Sequence, residues 1–369
     1  MKKQETTISL VLICVIAGVL LLTGFQHYKD LSPHQTITKF FNKLFSADID
    51  EDGLANLFPS ENIGIYDQLH LTDNRLNQIT SDDIVRVFGI HLREKTNGPV
   101  SYEISSNSEL AGINYNEGKF VSYDSVLIPF YEIFPNGFNE EKSYPTVVLF
   151  SGHGKMDEVA FDDDSYQKGL GLYLAKQGFL VYIMENRGMG KLSYLGDHMR
   201  IDAVARMVGG SWYGEITTDA LFLLDLVFNK NYTANIGVGG VSTGGALSML
   251  TSAIDDRIIA TYVQGYLGSY KTTFGTRGNH HDCNNISNIV NEFDMSDIAA
   301  FIFPRSAIYV NGEEDTFYAE DAMEAFKHIE NRYSLGNAAN KVMFKAPKNT
   351  KHEMSVSLAL NYFNNELVK

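Results

Sequence analysis

The chain is predicted to be an α/β protein whose mostly parallel sheet carries helices on both faces. Three observations predict this. After Pro145, short apolar runs alternate with amphipathic stretches of helical period. The runs are too short for helices and too uniformly apolar for half-exposed strands, as expected of strands covered on both sides. Several of them end in glycine-rich turns just before the next helical stretch, the rhythm of βαβ units.

Taken in order, Lys2 and Lys3 precede an apolar run from Ile8 to Leu22, which reads as an export signal. Extended by Thr7 and Gly24 at its edges, the run comes to roughly 17 residues, the lower limit for crossing a bilayer. Leu22 spoils the small-x-small site that cleavage after Gly24 requires, so residues 1–25 read as an uncleaved signal anchor, with a cleaved signal peptide as the alternative. Basic residues on the N-terminal side place the remainder outside the cytoplasmic membrane, anchored or secreted. Residues 26–95 read as a polar helical extension. Apolar residues at 37, 40, 41, 44 and 45 form a helical stripe, and Ser81-Asp82-Asp83 resembles an N-cap with an acidic first turn.

From about Val100 to the end, residues 96–369 read as the catalytic domain. Phe120–Ile128 and Phe130–Phe134 are strand-like, punctuated by Pro135-Asn136-Gly137. Six apolar runs follow at Thr146–Phe150, Phe179–Met184, Ile236–Gly239, Ile258–Val263, Ser306–Val310 and Val342–Phe344. Helical stretches separate or follow them at Ser165–Gln177, Ile216–Asn229, Gly245–Ile254, Ala319–Glu330 and Met354–Leu367.

Thirty Lys and Arg against 45 Asp and Glu leave a formal charge of −15. Such a surface repels phosphate backbones, so no nucleic-acid partner is expected. Cys14 lies in the apolar N-terminal run, which leaves Cys283 as the one thiol of the folded part and excludes an internal disulfide there.

Gly240-Val241-Ser242-Thr243-Gly244 joins a predicted strand to a predicted helix. A serine at so tight a turn stands clear of the sheet, the glycines Gly240 and Gly244 avoid clashes, and the helix N-terminus favours developing negative charge. Its hydroxyl needs a base. His352 follows the last strand, in the order this architecture requires. An acid should follow the strand between them, where Glu313, Glu314 and Asp315 are all candidates. Asp315 is preferred because the spacing from Gly312 lets the chain turn back toward the histidine. Oxyanion donors are expected from the N–H groups of Thr243 and His153, the latter in Ser151-Gly152-His153-Gly154.

These pieces, with Glu185-Asn186-Arg187-Gly188-Met189-Gly190, Phe303-Pro304-Arg305 and Gly312-Glu313-Glu314-Asp315, resemble the α/β-hydrolase superfamily over roughly Pro145 to His352, close to its acetyl xylan esterase and dienelactone hydrolase-like branch. The resemblance implies an α/β-hydrolase fold, an eight-stranded mostly parallel sheet and carboxylic ester hydrolysis with no cofactor. The partner it implies is a small-molecule or polysaccharide ester. Ser151 stands where such proteins usually have His, and Thr243 replaces a commoner Met, Gln or Leu. A peptidase or an acyltransferase using the same triad, and a non-enzymatic binding module, are the alternatives.

Other signals carry less. His280-His281-Asp282-Cys283 holds metal-ligand types, but adjacent loop residues seldom aim at one ion and no second pair lies at zinc spacing, so no metal is expected. Trp212-Tyr213-Gly214 and Asp197-His198 either rim the pocket or pack. Arg187 reads as a structural hydrogen-bond donor. Gly237-x-Gly239-Gly240 lacks the acidic residue of a dinucleotide site.

Overall fold

The computed structural model describes residues 79–93, 98–276 and 282–368, all within the compact unit Tyr66–Lys369. The apolar run at residues 8–22, the stripe at 37–45, His280 and His281 lie outside the described residues. Among the described residues no helix is long and apolar enough to cross a membrane.

Helix α1 (Ser81–Phe88) starts the described chain; the Asp83 carboxylate accepts from the backbone N–H of Thr80, which caps it one residue earlier than the sequence suggests. Strands β1 (Tyr102–Leu110), β2 (Ile113–Val121) and β3 (Leu127–Ile133) form an antiparallel meander. Next come β4 (Tyr144–Phe150), α2 (Met156–Ala160), α3 (Leu170–Lys176), β5 (Leu180–Met184), α4 (His198–Met207) and α5 (Trp212–Phe228). They lead to β6 (Thr233–Val241), α6 (Thr243–Ile254) and β7 (Ala260–Gln264). After a 3-10 turn at Asp282–Asn284 come α7 (Ile289–Glu292), α8 (Met295–Ala300), β8 (Ser306–Val310), α9 (Ala319–Leu335), β9 (Val342–Lys345) and α10 (Val356–Leu367).

The strands make one nine-stranded sheet in the order β1-β2-β3-β5-β4-β6-β7-β8-β9. β3 meets β5 antiparallel, and the pairs from β5 through β9 are all parallel. Because side chains alternate across a strand, each parallel strand feeds two cores. Val148 and Phe150 of β4, Leu180, Tyr182 and Met184 of β5, and Ala307 and Tyr309 of β8 join α1, α5, α6, α8 and α9 on one face. Val147 and Leu149, Val181 and Ile183, and Ile308 and Val310 join α2, α3 and α10 on the other. Both sides are therefore dry, which is why these strands read as unbroken apolar runs.

Four details differ from the sequence reading. Among the described residues the sheet has nine strands rather than eight, the additional one being β1, whose residues are all exposed; it has no buried face and so no apolar alternation to read. The stretch Phe120–Ile128 is interrupted, since Ser122 N–H bonds to Val126 O at 2.9 Å and Ser125 takes φ 68°. The helix expected from Ser165 begins only at Leu170, after Lys168 and Gly169 turn with φ 59° and 54°. Helix α1 lies inside the stretch read as an extension, yet its Ile84, Val87 and Phe88 belong to the core under the sheet.

Candidate active site

The site lies at the carboxyl ends of β4, β6, β7 and β8, where the chain leaves the sheet for its loops. Ser242 occupies the one-residue turn between β6 and α6 with φ 60° and ψ −127°, a backbone state costly for any residue with a Cβ. Its N–H donates to Gln264 O at 2.9 Å, and its own carbonyl accepts from Ala246 at 3.0 Å, so both neighbouring elements hold the turn. Gly240 and Gly244 let it close. A Cβ at Gly244 would lie 2.0 Å from Phe150 O, and one at Gly240 would lie 2.6 Å from the same oxygen. The Thr243 N–H is the first amide of α6, which no helical carbonyl can satisfy.

β8 leads into Asn311, whose buried side-chain amide donates to Leu267 O at 3.0 Å and Phe317 O at 3.1 Å. Glu314 N–H bonds to Thr350 O at 3.0 Å, drawing the acidic turn against the loop that carries His352. Glu313 and Glu314 are exposed, whereas Asp315 is buried. Its Oδ1 lies 2.7 Å from His352 Nδ1 and accepts from the Phe317 N–H at 2.8 Å. Two rings stack nearly parallel to the imidazole, Phe317 with centroids 6.0 Å apart and Tyr166 at 5.9 Å. Gly265 lets both groups approach the end of β7, since a Cβ there would touch His352 at 3.0 Å and Asp315 at 3.1 Å.

Ser242 and His352 line one cavity of about 230 Å³ together with His153, Tyr166, Tyr213 and Phe317. The loop after β4 that brings His153 there is held by Gly152, whose N–H donates to Gln167 Oε1 at 2.6 Å. The Tyr166 hydroxyl faces Ser242 and the His153 carbonyl; burial and the nearby Glu158 raise its pKa, and its contacts with Ser242 and His153 oppose the rise. It is therefore a neutral hydrogen-bond donor. Burial also pushes the Cys283 thiol up.

The structure thus gathers Ser242, Thr243, His153, Asp315 and His352 at one rim. It brings Tyr213 to the cavity wall, while Trp212 is buried behind it. His198 packs against that indole, the ring planes tilted by 56°, and is not among the residues that line the cavity. Arg187 lies away from the rim in a buried ion-pair network with Asp219 and Asp124. Tyr166 and Phe317, which stack against the imidazole, were not singled out from the sequence. Phe317 stands two residues after Asp315, a position a turn returning toward the histidine brings close; Tyr166 has no local signal, because it arrives from a different loop.

No family model matches the chain, and no curated protein matches it. Solved structures do. A protein assigned as an acetyl xylan esterase from Bacteroides fragilis superposes with a TM-score of 0.68 at 13% identity, over 85% of this chain and 96% of its own. A glucuronoyl esterase from Solibacter usitatus gives 0.57 at 12%, over 80% and 94%. Acetyl xylan esterase 1 from Thermoanaerobacterium sp. JW/SL YS485 gives 0.52 at 16%, over 83% and 93%. At such identities the likeness is one of fold, and that fold is the α/β-hydrolase fold.

Proposed function

We propose that this α/β-hydrolase-fold chain is a serine hydrolase that cleaves short acyl esters, acetyl above all, of a carbohydrate or small molecule through an acyl-enzyme on Ser242. The observation that carries the reading is the pairing of a strained, cavity-facing Ser242 with an imidazole whose Nδ1 is 2.7 Å from a buried carboxylate. With Nδ1–H donated to Asp315, Nε2 keeps its lone pair for the serine proton. His352 takes that proton as Ser242 attacks the ester carbonyl. The oxyanion is received by the N–H groups of Thr243 and His153. His352 then protonates the departing alcohol, and water repeats the sequence to release the acid.

The cavity's size supports a short acyl group, since about 230 Å³ falls below the roughly 300 Å³ at which drug-sized pockets begin. The folds of acetyl xylan and glucuronoyl esterases support a carbohydrate ester at the level of analogy. Lys2, Lys3 and the apolar run Ile8–Leu22 support a domain held outside the cytoplasmic membrane, with residues 96–369 and the core-packed helix α1 as the catalytic part and the stretch from residue 26 to α1 as the spacer.

The test is a p-nitrophenyl ester series from acetate to octanoate. Acetate is expected to have the highest kcat/KM, and Ser242→Ala to fall to background, a loss of about a million-fold. Undiminished turnover by Ser242→Ala overturns the assignment. Partition of the acyl group to an added alcohol in preference to water would make the chain an acyltransferase instead.

A further inference from the structure

In sequence, the metal-ligand company of Cys283 is the adjoining His280, His281 and Asp282, a spacing that argues against an ion. Folding gives it different company. His153 on the loop after β4, His198 at the start of α4 and Cys283 in the turn after β7 each offer a ligand atom within 4.8 Å of the other two. Cys283 Sγ lies 3.4 Å from His153 Nε2. Tetrahedral zinc bound by nitrogen and sulfur holds such ligand atoms roughly 3.4–3.6 Å apart.

The His153 imidazole is oriented from behind, and His198 has a carboxylate nearby on its far side. His153 Nδ1 is 2.9 Å from Thr243 Oγ1, so its Nε2 is the nitrogen turned to the thiol. His198 Nδ1 is 3.7 Å from the Asp197 carboxylate, and its Nε2 is buried. An oxygen at one ring nitrogen and the ion at the other is the usual arrangement of metal-binding imidazoles. The Trp212 indole closes one wall, 5.5 Å from the His153 ring and 5.1 Å from that of His198. Asp202, one turn beyond His198 in α4 and 1% exposed, lies near His198 and Cys283 and is itself paired with Arg206.

We propose that His153, His198 and Cys283 form a zinc-class cation site that ties the loop after β4 to α4 and to the loop after β7. Two imidazole nitrogens and one sulfur select zinc over magnesium or calcium, which prefer oxygen. Binding forms two N–metal bonds from neutral imidazole lone pairs and one S–metal bond. The Cys283 proton passes to solvent, and nothing is oxidised or reduced.

The experiment uses the full-length, tag-free chain, stripped with a chelator and titrated with Co²⁺ and then Zn²⁺. A thiolate-to-cobalt charge-transfer band that zinc bleaches is the expected result. Cys283→Ser abolishes the band and weakens zinc binding by more than about 100-fold, beyond what loss of an outer partner costs; it also controls for Cys14. His198→Asn weakens zinc binding comparably and decides the matter if Cys283→Ser does not fold. Ser242→Ala keeps the band, which separates this proposal from the esterase reading. Absence of the band in the folded wild-type chain, or equal zinc affinity in wild type and variants, overturns it.

Discussion

Asp315 is a buried carboxylate whose Oδ1 accepts both from the Phe317 N–H and from His352. Asp315→Asn keeps the size of the side chain but offers the imidazole an amide, which favours the tautomer with its proton on the wrong nitrogen. A kcat lower by about 10,000-fold on p-nitrophenyl acetate, with an unchanged melting temperature, is the expected outcome. Glu185 makes a separate prediction at the same scale. Burial raises its carboxyl above the ordinary 4.5, against the opposing pull of the Lys191 and Met156 amides. A raised acid pKa means that the folded chain holds the proton more tightly than the unfolded chain. Its contribution to stability is therefore full below pH 4.5 and declines as pH rises toward the folded value. The melting temperature of wild type minus that of Glu185→Gln should fall over that interval; a difference that rises with pH would contradict the burial argument.

The β6–Ser242–α6 unit works because two glycines let a helix start directly against the carbonyl end of β4. Gly244→Ala drives a methyl to within 2.0 Å of Phe150 O, a rigid backbone atom that cannot turn aside as a side-chain end does. Destabilisation of about 1–3 kcal/mol or more is expected from such overpacking, read as a lower urea midpoint at constant m. Activity should fall further than stability, since α6 carries the Thr243 amide. The β1–β2 hairpin presents the opposite case. β1 is exposed throughout, so its place in the sheet rests on pairing with β2 rather than on burial.

Arg187 links three separate parts of the molecule. Its Nε is 2.7 Å from Asp219 of α5, and its Nη1 is 2.6 Å from Asp124 in the β2–β3 turn. Trp212 Nε1 donates to its carbonyl at 2.8 Å. Asp219 is wholly buried, and burial raises its pKa despite the guanidinium. Arg187→Leu strands that charge, and a loss of about 3–5 kcal/mol is expected in chemical denaturation. Arg187→Lys should recover only part, because a single ammonium cannot serve two carboxylates with a planar fork. Asp219→Asn combined with Arg187→Leu should cost less than Arg187→Leu alone.

Local chemistry made the parallel strands, the serine turn and the order serine, acid, histidine readable from the chain itself. Doubly covered strands must be apolar along their whole length, and a strand-to-helix turn of one residue demands glycine on both sides. Those requirements act over a few residues and so leave a mark in the sequence. Convergence of distant loops leaves none. That Asp315 rather than Glu313 or Glu314 meets His352, that Tyr166 and Phe317 stack against the ring, and that Cys283 faces His153 were decided only when the sheet stacked its carboxyl ends side by side. Partners contributed by separate crossovers share no spacing rule, because the distance between them is set by the packing of the sheet and not by the chain that joins them.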